Sequence, residues 1–121
     1  MSSTPVTWFE IGSDRPDEAQ RFYSELFGWS FDEQGGPRGS YRQTTAGGER
    51  GIGGAIRDTD TGNYAIFYAE VADVAETCRR AEATGGTVLT APVTTPTGLV
   101  RATLRDPSGN LLGVFTPPAE G

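Results

Sequence analysis

At 121 residues, with 36% hydrophobic and 21% charged side chains, the chain has the length and composition of one folded domain with a real core. A net charge of −6 without a basic stripe excludes nucleic acid as a partner, and no apolar run approaches the roughly 20 residues that span a bilayer. The single cysteine, Cys78, excludes an internal disulfide and fits a reducing compartment; with the polar start at 1–5 it predicts a cytoplasmic protein.

The first strand is predicted over 6–11, where Trp8 and Glu10 alternate with Phe9 and Ile11. A turn follows, and Pro16-Asp17-Glu18 opens a helix: proline is tolerated in the first turn, and acids suit the positive end of the helix dipole. Ala19, Phe22, Tyr23, Leu26 and Phe27 keep an apolar stripe until Gly28 ends the helix, and Phe22 and Leu26 are expected to dock it on its sheet. Short strands are expected at 29–31, 41–45 and 52–57, with turns at Gly35-Gly36-Pro37 and Gly47-Gly48. After a turn at 58–63 the plan restarts with a strand at 64–71 and a helix at 74–83 closed by Gly85-Gly86. Cys78, four residues after Val74, falls on the buried side of that helix. Strands near 87–90, 99–104 and 111–116 complete the chain, with 91–98 read as a loop and 117–121 as a frayed tail.

The order βαβββ therefore occurs twice. Trp8 pairs with Ile66 and Gly28 with Gly86 at one offset (66 − 8 = 58; 86 − 28 = 58), and Phe9/Phe67 and Glu18/Glu76 obey it too. An internal duplication accounts for this. The expectation is an α+β fold of two tandem βαβββ modules, about 5–58 and about 63–118, within a single domain over 1–121.

Several catalytic patterns are missing. There is no His, so no Ser-His or Cys-His pair exists, and Cys78 on a packed helix is a poor nucleophile. Gly51-Ile52-Gly53-Gly54 lacks the third glycine and the following helix of a dinucleotide fingerprint; it suits strand curvature or close approach. Asp106-Pro107 reads as a turn.

Trp8-Phe9-Glu10-Ile11, then Phe22-Tyr23-Ser24-Glu25-Leu26-Phe27-Gly28-Trp29, and finally Asp106-Pro107-Ser108-Gly109-Asn110 resemble the vicinal oxygen chelate superfamily over nearly the whole chain. That group contains glyoxalase I, extradiol dioxygenases, and fosfomycin- and bleomycin-resistance proteins. The resemblance implies that each module curls its sheet and that two modules enclose a cavity. It also implies metal ligands on the first and last strand of each module. Carried over by spacing, those positions fall on Trp8, Ile66, Gly113 and, by the repeat offset (113 − 58 = 55), Ala55. None binds a metal through its side chain, so no metal and no cofactor are expected.

Strand alternation then sends Trp8 and Glu10, Ala55 and Arg57, Tyr64, Ile66 and Tyr68, and Gly113 and Phe115 to the lining of that cavity. Phe67, Ala69 and Val71 would pack against the second helix. Aromatic walls with one carboxylate and one guanidinium suit a planar or aromatic ligand, and Glu10 would also suit a positive charge on it. Plugging of a vestigial cavity by Trp8 and Tyr68 is the plainer alternative for those two rings. For Glu10 three roles stay open: general base, anchor for a cation, or hydrated rim charge. The expected function is metal-free binding of a small molecule, similar to bleomycin-resistance proteins, in a homodimer. The alternative is a cofactor-free isomerase, cyclase or lyase with Glu10 as acid/base, and a metal-dependent glyoxalase or dioxygenase ranks last.

Overall fold

The computed structural model of the chain describes residues 3–34 and 41–119. Its elements are β1 (Val6–Ser13), α1 (Pro16–Phe27), β2 (Asp32–Gln34), β3 (Tyr41–Thr44), a 3-10 turn (Gly48–Arg50), β4 (Gly53–Asp58), β5 (Tyr64–Glu70), α2 (Val74–Ala83), β6 (Thr87–Thr94), β7 (Val100–Arg105) and β8 (Leu111–Thr116). This is βαβββ twice over, the order and class read from the sequence. The offset holds at element starts: α1 and α2 open at Pro16 and Val74 (74 − 16 = 58), β4 and β8 at Gly53 and Leu111 (111 − 53 = 58).

By compactness the chain divides into two units, Trp8–Ile66 and Met1–Thr7 with Phe67–Gly121. In the first, the strands lie in the order β2-β3-β4-β1, with β1 and β4 parallel and the other pairs antiparallel. In the second the order is β5-β8-β7-β6, with β5 and β8 parallel. Glu10 faces Ala55 across the first parallel pair, and Tyr68 faces Gly113 across the second. These pairs are related by the repeat (68 − 10 = 58; 113 − 55 = 58), so Ala55 is the structural counterpart of Gly113.

Both helices are capped, and they dock differently. The Asp73 carboxylate accepts the backbone N–H of Glu76 at 3.0 Å, and α2 buries Val74 and Cys78 against Ala102, Leu104 and Val114. Ala69 and Val71 join that cluster as expected, whereas Phe67 stays 44% exposed. Helix α1 ends on left-handed Gly28, whose N–H donates to the Ser24 carbonyl at 2.9 Å, and it buries no residue fully. Phe22 and Leu26 are each 57% exposed and do not dock α1 on its sheet. Two other contacts do so. Phe9 lies over the Gly54 backbone and meets Trp29 at 5.5 Å, which in turn stacks on Tyr23 at 5.6 Å. The buried Arg42 of β3 donates to Asp17 at 2.7 Å and Gln20 at 3.0 Å.

Strand limits also differ from expectation. β2 starts at Asp32 because Trp29 and Phe31 are engaged in the aromatic cluster beside α1. β6 runs to Thr94, through residues expected to form a loop. It pairs with β7 on one side only and shifts register between Val88, Thr90 and Val93, so Pro92 interrupts little of the ladder. The predicted Gly35-Gly36-Pro37 turn lies outside the described residues.

Candidate functional site

On the first unit, alternation along β1 puts Trp8, Glu10 and Gly12 on one face, and register brings Gly53, Ala55 and Arg57 of β4 opposite them. Antiparallel pairing adds Tyr41 opposite Arg57 and Gln43 opposite Ala55. The small residues let rings lie flat on the sheet. A Cβ on Gly53 would come within 2.7 Å of the Trp8 ring, and one on Gly12 within 2.0 Å of the Tyr64 ring. Trp8 Nε1–H donates to the Tyr41 hydroxyl at 2.9 Å.

Between these rings sits Glu10, only 6% exposed, accepting the Tyr64 O–H on Oε2 at 2.5 Å. A charge-assisted bond this short fits a phenol meeting a carboxylate. The Tyr64 phenol is pushed up to about 12, first by burial and then by hydrogen bonding to Glu10 and by its charge. Arg57 acts on the same hydroxyl, by hydrogen bonding and charge, in the opposite direction. Tyr64 therefore keeps its proton near neutral pH and holds Glu10 as an acceptor.

On the second unit, Tyr68 is 5% exposed, and its ring covers Gly113, where a Cβ would approach it to 2.3 Å. Phe115 meets Tyr68 edge-on, with centroids 6.2 Å apart. Of the nine lining residues expected from the sequence, Trp8, Glu10, Ala55, Arg57, Tyr64 and Ile66 fall in the first unit. Tyr68, Gly113 and Phe115 fall in the second. Ala55 and Ile66 are buried, as Glu10 and Tyr68 are. Tyr41 was not anticipated. Its face was legible from alternation, but its place beside Trp8 depends on a register set by the 3-10 turn at Gly48–Arg50.

The donor set does not fit the metal of the chelating relatives. Tyr68 covers the glycine at one of the four ligand positions, and Trp8, Ala55 and Ile66 hold the others. Among the described residues no group of three or more His, Cys, Asp or Glu side chains is placed to hold an ion. Nor is any helix among them long and apolar enough to cross a membrane.

Comparison with known proteins agrees with this geometry at the level of fold. A curated relative, "Putative glyoxylase CFP32" of Mycobacterium tuberculosis, is 30% identical over 114 residues, covering 93% of this chain and 44% of the relative. Its namesake in Mycobacterium bovis matches to the same extent, so the chain spans less than half the length of these curated relatives. Methylmalonyl-CoA epimerase from Mycobacterium tuberculosis superimposes with a TM-score of 0.65 at 16% identity, over 98% of this chain and 93% of that one. Protein BH1468 from Bacillus halodurans does so with a TM-score of 0.70 at 14% identity, over 99% of each chain. The Streptomyces coelicolor epimerase, solved with 2-nitronate-propionyl-CoA, gives 0.63 at 18% identity over 98% of this chain and 100% of that one. The profile of the Glyoxalase/Bleomycin resistance protein/Dioxygenase superfamily matches residues 6–114, and the chain belongs to that superfamily.

Proposed function

We propose that the chain binds a small planar organic molecule on the Trp8–Glu10–Tyr64 face without a metal, as a sequestering protein of the bleomycin-resistance type. The observation that supports this most is a pair of aromatic rings lying on glycine backbone on either side of a buried carboxylate. The ligand stacks on Trp8, while Glu10 and Arg57 orient its polar edge. Ala55 and Ile66 close the wall. On the second unit, taken by itself, Phe115 meets Tyr68 edge-on, and Tyr68 fills the room above Gly113 that a chelating side chain would need. The working form is a cytoplasmic homodimer.

A second reading makes the chain a cofactor-free enzyme with Glu10 as acid/base, for an isomerisation, cyclisation or elimination. The Glu10–Tyr64 contact favours it, because the phenol O–H fixes a buried carboxylate in one orientation on this face. Epimerases among proteins of the same fold support it as well.

Both readings are tested by titrating metal-stripped protein, with EDTA present, against planar aromatic metabolites and antibiotics. Tryptophan fluorescence is followed, and the compound is recovered for mass analysis. Saturable quenching that Trp8→Phe alters, with the compound unchanged, supports sequestration. Conversion of the compound, abolished in Glu10→Gln, supports the enzyme. Binding or turnover only after Mn²⁺, Ni²⁺ or Fe²⁺ is added would sink both.

A further inference from the structure

The side of the first unit's sheet that carries α1 has a groove of its own. Alternation along β3 turns Arg42 away from the face of Tyr41 and Trp8, and its neighbour across the ladder, Ile56, is fully buried. Asp17, Gln20, Arg21 and Ser24 follow one another along one side of α1, and with Arg42 they line a groove of about 410 Å³. Small-molecule sites span about 300–1,000 Å³, so the groove is large enough for one. The ion pair in it is lopsided. Arg42 donates from Nη2 to Asp17 at 2.7 Å and from Nη1 to Gln20 at 3.0 Å. The Arg42 side chain is 6% exposed, whereas that of Asp17 is 92% exposed. The fold thus holds the guanidinium in place, while its carboxylate partner stands in water. A second carboxylate can replace Asp17 there, and it asks of Arg42 no donor beyond the one that Asp17 now uses. Asp17 leaves at little desolvation cost, because its side chain is already solvated. Exchanging one carboxylate for another changes little at Arg42 itself, so the rest of the groove decides the outcome. There Arg21 brings a second positive charge and Ser24 a hydroxyl. Gln20, whose carbonyl oxygen accepts from Arg42, brings an amide NH₂.

We propose that this groove is a second binding site, for a small organic acid whose carboxylate replaces Asp17 on Arg42 and whose body is held by Gln20, Arg21 and Ser24. It stands apart from the Trp8 face and does not depend on what that face binds.

The test follows amide nitrogen and proton shifts of the intact chain at fixed ionic strength. The probes are benzoate and succinate, their neutral counterparts benzamide and succinamide, and inorganic phosphate. Both acids should shift Asp17, Gln20, Arg21, Ser24 and Arg42 saturably, and the amides should not. Asp17→Asn removes the built-in competitor and should tighten benzoate about tenfold, the worth of one hydrogen bond to a charged group. Arg21→Gln should weaken benzoate about threefold, as an exposed charge does, and leave the urea midpoint unchanged. A gain from removing one charge and a loss from removing the other is not what a loosened α1 would give. Equal benzoate affinity in wild type and Asp17→Asn overturns the proposal. So do amides that bind as well as the acids, or phosphate that binds as tightly as benzoate. Shifts confined to the residues around Trp8 would put the carboxylate on the other face of the sheet and overturn it too.

Discussion

A phenol bonded to a carboxylate at 2.5 Å over a glycine backbone makes Tyr64 the most informative titrating group in the chain. Its pKa rises from 10.0 to about 12, with burial as the largest cause, so ultraviolet titration at 295 nm should show one tyrosine ionising late. Glu10→Gln removes the carboxylate's charge and weakens its hydrogen bond but leaves the burial, so the late step should move down without reaching the unperturbed value. An unchanged midpoint in that variant would refute the coupling. The effect on stability has a definite sign. The folded pKa lies above the unfolded one, so Tyr64 contributes fully below about pH 10, and that contribution is lost as pH rises through about 12. Denaturant midpoints between pH 9 and 11 should therefore fall more steeply for wild type than for Tyr64→Phe. Gly12→Ala tests the support beneath the ring: the new methyl would meet Tyr64 at 2.0 Å, and overpacking of this kind costs about 1–3 kcal/mol. Alternation along β1 made the Trp8 and Glu10 face legible in the sequence. Its partner Tyr64 was placed on the lining by the same rule, but their contact joins residues 54 apart in the chain and needed the fold.

Helical periodicity alone was a poor guide to which side of α1 meets the sheet. The stripe through Phe22 and Leu26 was real, yet both residues stand more than half exposed. Their counterparts in the repeat are Arg80 on α2 and Thr84, which caps the end of that helix (80 − 22 = 58; 84 − 26 = 58), so the fold does not require apolar residues there. What the stripe could not reveal is Arg42, which reaches from β3 to the polar side of α1 and bonds Asp17 and Gln20. Phe22→Ser and Leu26→Ser should thus each cost well under about 1 kcal/mol, since most of the area is already wet. Arg42→Ala should cost about 2–3 kcal/mol through two lost hydrogen bonds to a buried charge. Calorimetry or urea unfolding ranks them, and a Phe22 variant worse than the Arg42 variant would invert this account. Element order, the repeat offset and α2 were readable because they rest on local capping and spacing. The length of β6 was not, because a proline in a one-sided, register-shifted strand looks like a loop when seen without its partner.

At the scale of the molecule, one duplicated plan has been filled in two ways. The unit carrying α2 has a continuous apolar cluster of Val74, Cys78, Ala102, Leu104 and Val114, flanked by Ala69, Val71, Ala81, Val88, Val100 and Leu112. The unit carrying α1 places Glu10, Arg42 and Thr44 among its buried residues, and α1 itself buries none of its own. Buried polar groups gain less on folding than buried methylenes, because their desolvation offsets much of what their hydrogen bonds return. The two units should therefore open at different free energies, with polar chemistry concentrated in the one that opens more readily. Native-state hydrogen exchange reads this directly. Amides of α2, β7 and β8 should be the slowest, and those of α1 should exchange faster by at least about tenfold, or about 1.4 kcal/mol. Equal protection of α1 and α2, across a range of denaturant, would mean that the chain opens only as a whole. The polar interior around Glu10 would then be stabilised by something other than the contacts described, and the division of labour between the two copies of the repeat would be wrong.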